Sequence, residues 1–313
     1  MEPIIPPVDK DAIEKELTKE RFLRHTNKGD NILYVVDAHN APDTMREIGR
    51  LREIAFREAG GGTGKEYDID EFDTMPVPCQ QLIVWDPHAR EILGGYRFIT
   101  GDKIDMSSGV PRIATAHLFD FSDRFLREIL PVTLELGRSF VSVGYQSSKA
   151  GAKAIFALDN LWDGLGALTV KYPHIKYLFG KVTMYPAFGR ENLDLILGFL
   201  IKHFPDTEGL VHPIRPVESN ALSPDVQRRL SGESYKEDYR ILNKLIRERG
   251  LNIPPLVSAY MGLSPTMRMF GTAVNDEFGD VEETGIFLTI SEILQEKKER
   301  HIESYKDEIG EEK

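Results

Sequence analysis

Apolar positions along this chain switch repeatedly between a period near 3.6 and a period near two, and the switch points lay out its elements. After the proline-rich start MEPIIPP, residues 8–24 read as a charged helix, Asn27 to Asp30 as a polar turn and Ile32 to Val36 as a strand. Asp43 to Ala59 sets Met45, Ile48, Leu51, Ile54 and Ala55 at helical spacing, and Gly60-Gly61-Gly62 stops the helix and opens a mobile loop. Gln81 to Trp85 and Ile92 to Ile99 are β-rich runs joined by a turn with Pro87 and His88, which predicts a hairpin. Leu134 to Val143 has the same character.

Strand and helix then alternate: a helix from Ala150 to Val170, a strand from Tyr177 to Met184 and an apolar helix from Glu191 to His203. Residues 205–252 break the alternation with Pro205, Pro213, Pro216 and Pro224, then a charged helix from Tyr235 to Arg249 that ends at Gly250. This segment reads as an insertion. Core-like composition returns with Pro254-Pro255, a short helix to Met261 and strands near Gly271 to Asn275 and Gly285 to Ile290. Glu296 to Lys313 reads as a solvated helix or a disordered tail. The order predicts an α/β fold, a mixed, mostly antiparallel sheet with helices on both faces.

Composition narrows the function. Of 313 residues, 41% are hydrophobic, and 39 Lys plus Arg stand against 50 Asp plus Glu, a formal charge of -11. That surplus repels nucleic acid and anionic lipid alike, so general nucleic-acid binding is excluded. The longest apolar run, Leu195 to Ile201, is far short of the roughly 20 residues that span a bilayer. The first ten residues lack the basic and apolar segments of a secretory signal, which predicts a cytoplasmic protein. The single cysteine, Cys79, reads as a core residue, and the eight histidines form no i,i+4 pair, so no metal site is expected. Gly60 to Lys65 mimics a phosphate-binding loop, but Glu66 stands where Ser or Thr must bind magnesium, and the loop follows a helix instead of a strand.

Charges at positions a plain core would not give them remain. Asp68, Asp70, Glu71 and Asp73 crowd into YDIDEFD, where carboxylates repel unless a metal, an arginine or a substrate ammonium shares the space. Arg97 lies in the β-like GGYRFI, and Glu135 and Arg138 lie in LELGRSFV. Positions 135 and 138 face opposite sides of a strand unless a bulge intervenes, and Gly137 offers a place for one. Charges in strands imply ion pairs or a polar cleft, and the residues alone leave both open.

Taken together, Arg52 and Phe56 in LREIAFREA, the acidic DIDEFD, GGYRFI and ELGRSFV resemble acyl-homoserine-lactone synthases in order and spacing. They resemble the ornithine-lipid and glycine-lipid N-acyltransferases, the haemolysin-like branch of the GNAT superfamily, more closely still, as does KYLFGKVTMYPAFG. The resemblance covers residues 31–200 and resumes at 254–290. It implies a GNAT-like core over 31–204 and 253–292, with an N-terminal helical extension (1–30), a helical insertion (205–252) and a charged tail (293–313).

The activity implied is transfer of a 3-hydroxyacyl chain from a thioester to the amine of glycine or ornithine, in aminolipid synthesis. No permanently bound cofactor is implied; the co-substrate is the phosphopantetheine thioester of acyl carrier protein, or acyl-CoA. A lipid product would call for peripheral contact with the inner membrane. The amine must lose a proton before attack, and Glu135 is the best candidate base, with Asp70 and Asp73 as competitors that could instead hold the ammonium or pair with Arg52 and Arg138. Arg138 and Arg97 are fixed donors for a substrate carboxylate or for those acids, and Arg52, Phe56, Asp68, Phe140 and Val141 complete the expected binding set. Backbone amides of Phe140 to Val143 are the expected oxyanion donors. Gln146, Ser147, Ser148, Lys149 and Gly151 occupy the superfamily's pyrophosphate-loop position in a degraded form that suits a carrier protein. Lys236, Arg240, Lys244 and Arg247 fall on one face of a helix, a stripe able to steer an acidic carrier or simply a solvated surface. Two alternatives stand beside this reading: an acetyl-CoA-dependent N-acetyltransferase of a small amine, and a non-catalytic haemolysin-like membrane-active protein.

Overall fold

A computed structural model of the protein describes residues 1–146 and 152–311, apart from the side chains of 152–155, 310 and 311. In chain order the elements are α1 (Lys10–Glu16), β1 (Phe22–His25), β2 (Ile32–Val36), α2 (Pro42–Ala59), α3 (Glu71–Thr74), β3 (Gln80–Asp86), β4 (Glu91–Thr100), β5 (Phe119–Phe121) and β6 (Thr133–Val141). There follow α4 (Ala152–Lys171), β7 (Tyr177–Met184), α5 (Arg190–His203), β8 (Val211–Pro213), α6 (Pro224–Arg229), α7 (Tyr235–Arg247), α8 (Pro255–Met261), β9 (Arg268–Asn275), β10 (Val281–Thr289), α9 (Gln295–Lys298) and α10 (Ser304–Glu311). Two compact units result, one of residues 1–114, 130–176 and 295–313, the other of 115–129 and 177–294.

In the first unit the strands run β1-β2-β3-β4-β6, each antiparallel to its neighbour. Alternation along β3 places helices on both faces: Gln81 meets Arg52 of α2, whereas the next residue, Leu82, packs where Gly164 of α4 leaves room. β4 approaches β6 so closely that a Cβ on Gly94 would lie 2.6 Å from the Phe140 carbonyl oxygen. The expected bulge is present one residue beyond Gly137: Gly95 pairs with Phe140 and Arg97 with Gly137, so Arg138 and Ser139 together face Tyr96. Arg138 adopts φ 47°, which turns its side chain toward the face that carries Arg97.

Three local expectations change. The helix expected over 8–24 stops at Glu16, because Phe22 to His25 pair with β2 across the polar turn, and Glu16 instead caps α2 by accepting from the amides of Asp43 and Thr44 at 3.0 and 2.7 Å. The glycine loop is tied to α2 by hydrogen bonds. Buried Glu53 accepts from the Thr63 amide and hydroxyl and the Gly64 amide at 2.8–3.1 Å, so an internal carboxylate occupies the amides that a phosphate would need. The tail docks on α4 through His301, which is buried and pairs with Asp163 at 2.7 Å, and α10 sets Glu308 3.2 Å from Arg24.

The second unit holds β7, β10 and β9 side by side and antiparallel, and β5 paired with β8. A parallel bridge joins Pro205 to Met269. Phe121, Phe125, Phe179, Phe270 and Phe287 form its aromatic core, with ring centroids 5.2–6.2 Å apart. Among the described residues no helix is long and apolar enough to cross a membrane.

Candidate active site

The acidic segment and the strand charges converge in the first unit. Register puts Gln81 of β3, Arg97 of β4 and Gly137 of β6 in one cross-strand row, and Glu135 lies one pleat further on the same face. YDIDEFD reaches this face by lying on Gly49 of α2: the Asp68 amide donates to the Gly49 carbonyl at 2.9 Å, and a Cβ there would meet Ile69 at 2.8 Å. Asp70 then caps α3. Its carboxylate accepts from the amides of Phe72 and Asp73 at 3.0 and 3.2 Å, and Asp73 returns the bond from the Asp70 amide at 3.2 Å. Glu71 points away to Arg112 at 3.0 Å.

Three guanidiniums supply the cations that the crowded acids require. Asp73 accepts from Arg52 at 3.2 Å, from Arg97 at 3.3 Å and from the Gln81 amide at 2.9 Å. Arg97 also grips both oxygens of Asp70 at 2.6 and 2.7 Å, beneath the ring of Phe72, whose centroid is 5.5 Å away. Arg138 reaches Asp68 at 2.8 Å and Asp70 at 3.3 Å. Burial alone would raise the Asp70 carboxyl, but Arg97 and Arg138 outweigh it and hold the group well below the usual carboxylate range. Asp68 goes the other way: complete burial lifts it above its ordinary value despite Arg138 and Arg52. Burial opposes the Arg97 charge, yet Asp73 and Asp70 keep it firmly protonated.

Exposure separates the closed part of the cluster from its edge. The side chains of Arg52, Asp73 and Asp68 are 0% exposed and that of Arg97 1%, whereas Arg138 shows 14% and Asp70 23%. Arg52 and Asp73, expected among the substrate-contacting and catalytic groups, therefore form an ion pair in the closed part and have no surface to offer a substrate. Asp70 and Arg138 form the accessible edge, with an anion and a cation side by side. Glu135 is buried on the same face, and Phe56 and Phe140 are buried apolar residues. Cys79 is a core residue as expected; burial pushes its thiol up to about 12. Among the described residues no cluster of His, Cys, Asp and Glu is placed to hold a metal ion.

The sequence profile of the acetyltransferase (GNAT) domain matches residues 51–154, the span that carries this cluster. The chain is 58% identical over 306 residues to a glycine N(alpha)-acyltransferase of Bacteroides thetaiotaomicron, with 97% of this chain and 91% of that protein covered. It is 57% identical to a glycine N(alpha)-acyltransferase of Phocaeicola vulgatus, with 97% and 94% covered. The chain belongs to the glycine N(alpha)-acyltransferase family. Among solved structures it is similar to FeeM, an N-acyl amino acid synthase from uncultured soil microbes, at TM-score 0.40 and 12% identity over 85% of this chain and 94% of that one. It is also similar to the AHL synthase LasI at TM-score 0.32 and 16% identity, over 50% of this chain and 74% of that one.

As a member of the glycine N(alpha)-acyltransferase family the chain is an acyltransferase, and the non-catalytic alternative falls away. Within the expected donor site, Ser147, Ser148, Lys149 and Gly151 lie outside the described residues, while Gln146 donates to the Val141 carbonyl at 2.7 Å. The expected run of oxyanion donors is interrupted, since the Ser142 amide already donates to the Leu93 carbonyl at 2.9 Å. In the second unit, Leu242 and Ile246 of α7 are buried, and Asp238 ties the helix to α5 through Lys202 and His203 at 2.5 and 2.8 Å. Lys236, Arg240, Lys244 and Arg247 all remain exposed. Sequence reading missed Gln81, a neutral residue in an apolar-looking strand. It also missed the cap that Asp70 and Asp73 form, for which the Asp-x-x-Asp spacing was the available signal.

Proposed function

We propose that this protein joins the amine of glycine to a 3-hydroxyacyl chain delivered as an acyl carrier protein thioester, making the N-acyl precursor of an aminolipid. The observation that carries this is the 58% identity to a glycine N(alpha)-acyltransferase over nearly the whole chain. The edge suits a zwitterion: glycine's carboxylate displaces Asp70 from Arg138, and its ammonium rests on Asp70. Glu135, buried nearby, takes one ammonium proton, and the freed amine lone pair attacks the thioester carbonyl carbon. The C–S bond then breaks, a second amine proton goes to the leaving thiolate, and the third hydrogen stays on the amide nitrogen. Glu135 returns its proton to solvent, so each turnover yields one amide, one thiol and one proton. The exposed cations of α7 suit an acidic carrier as donor.

Purified protein incubated with 3-hydroxyacyl carrier protein, acyl-CoA or acetyl-CoA, each with glycine or ornithine, tests the reading by mass spectrometry. N-(3-hydroxyacyl)glycine formed fastest from the carrier thioester is expected. Acetylated amine as the dominant product, or ornithine preferred over glycine, would overturn it.

A further inference from the structure

We propose that Gln81 is a positioning residue for amide formation, coupling Arg52 to Asp73 and so holding the Arg97–Asp70–Arg138 edge in place. The inference rests on the reading that this edge binds the amine acceptor. Gln81 is 1% exposed and shares its sheet face with Arg97, its direct cross-strand partner. Its Oε1 accepts from Arg52 Nη2, and its Nε2 donates to Asp73 Oδ1 at 2.9 Å, with the Cys79 carbonyl at 3.4 Å. Asp73 is the hub of the cluster, receiving Arg52, Arg97 and the Asp70 amide besides Gln81. A continuous chain of charge-assisted bonds thus runs from Gln81 through Asp73, Arg97 and Asp70 to Arg138, from the closed part to the exposed edge.

The carboxamide suits this place because it both accepts from a guanidinium and donates to a carboxylate without adding charge. An ionised carboxylate of the same shape would still accept from Arg52 but would face Asp73 as a second anion. A protonated one could donate to Asp73 as the amide does. An apolar side chain would remove both bonds at a position that is 1% exposed. At 1% exposure Gln81 has no surface to offer a substrate, so its influence passes through the groups at the edge.

The test compares Gln81→Glu and Gln81→Met with wild type in the formation of N-acylglycine, followed from about pH 8 down to about pH 6, a range over which a buried carboxylic acid can titrate. For Gln81→Glu, kcat/KM for glycine is expected to fall about ten-fold at the alkaline end and to recover toward wild type at the acid end, as the introduced carboxyl gains its proton. Gln81→Met is expected to stay about ten-fold low at every pH, with KM for the thioester unchanged in both variants. A Gln81→Glu profile parallel to wild type overturns the proposal, as do glycine kinetics within about two-fold of wild type in folded variants. Should Gln81→Met fail to fold, the Gln81→Glu profile decides alone; failure of both to fold marks Gln81 as a packing residue and overturns the proposal. A wild type that acylates no amino acid overturns the parent reading itself, an outcome distinct from a wild-type-like profile in an active variant.

Discussion

Arg138 holds Asp68 at 2.8 Å from a backbone position of φ 47° in the middle of β6. A non-glycine residue in the left-handed region costs roughly 1–3 kcal/mol, and the bulge that imposes it is also what brings the guanidinium to the acidic segment. Asp68, with a fully buried side chain, depends on that guanidinium.

Arg138→Ala should therefore destabilise the fold by about 3 kcal/mol, in the range seen when one partner of a buried pair is lost. Adding Asp68→Asn should restore a large part of that loss. Urea unfolding of both single variants and the double variant measures the coupling, and strictly additive effects would show that the pair does not act as a unit.

Acid titration should separate the two neighbouring aspartates. The folded-state value of Asp70 lies below its ordinary 3.8, so its stabilising contribution is complete above that value and is lost as pH falls through the folded one. Asp68 has the opposite sign: its folded value lies above 3.8, so its contribution is present below 3.8 and is lost as pH rises through the folded value. Urea midpoints between about pH 7 and pH 3 should therefore fall less steeply toward acid in Asp70→Asn than in wild type, and more steeply in Asp68→Asn. Equal slopes in all three proteins would contradict the assigned directions.

The elements around the site were legible in the sequence because period-two alternation and glycine stops are local signals. The β3–β4 hairpin, α2 and β7 fall where the pattern puts them. The N-terminal helix was overextended because the charged pattern of 8–24 hides the pairing of Phe22 to His25 with β2, a tertiary contact. At the site, the charges themselves stood out in strands, and the odd spacing of Glu135 and Arg138 left a bulge near Gly137 as the way to bring both to one face. What the spacing could not convey was depth. Arg52 and Asp73 carry the same charges as Arg138 and Asp70 but are sealed beneath them, and Gln81 joins them without any charge to mark it.

The stripe on α7 gives a prediction that leaves the fold aside. Replacing Lys236, Arg240 and Lys244 together with alanine should raise KM for the carrier thioester by about ten-fold while leaving the thermal midpoint unchanged, because exposed charges act mainly on encounter. Steady-state kinetics with the carrier thioester reads this directly. An unchanged carrier KM removes α7 from the donor surface.

The most direct test of the account is the turnover of Glu135→Gln beside its thermal unfolding. The variant keeps the shape of a buried side chain and can no longer take the amine proton. If Glu135 is the base, kcat for N-acylglycine formation should fall by about 10²- to 10⁴-fold with the midpoint of unfolding near that of wild type. A variant that unfolds at markedly lower temperature yet turns over at the wild-type rate in its folded fraction would contradict the account and leave Glu135 a structural group.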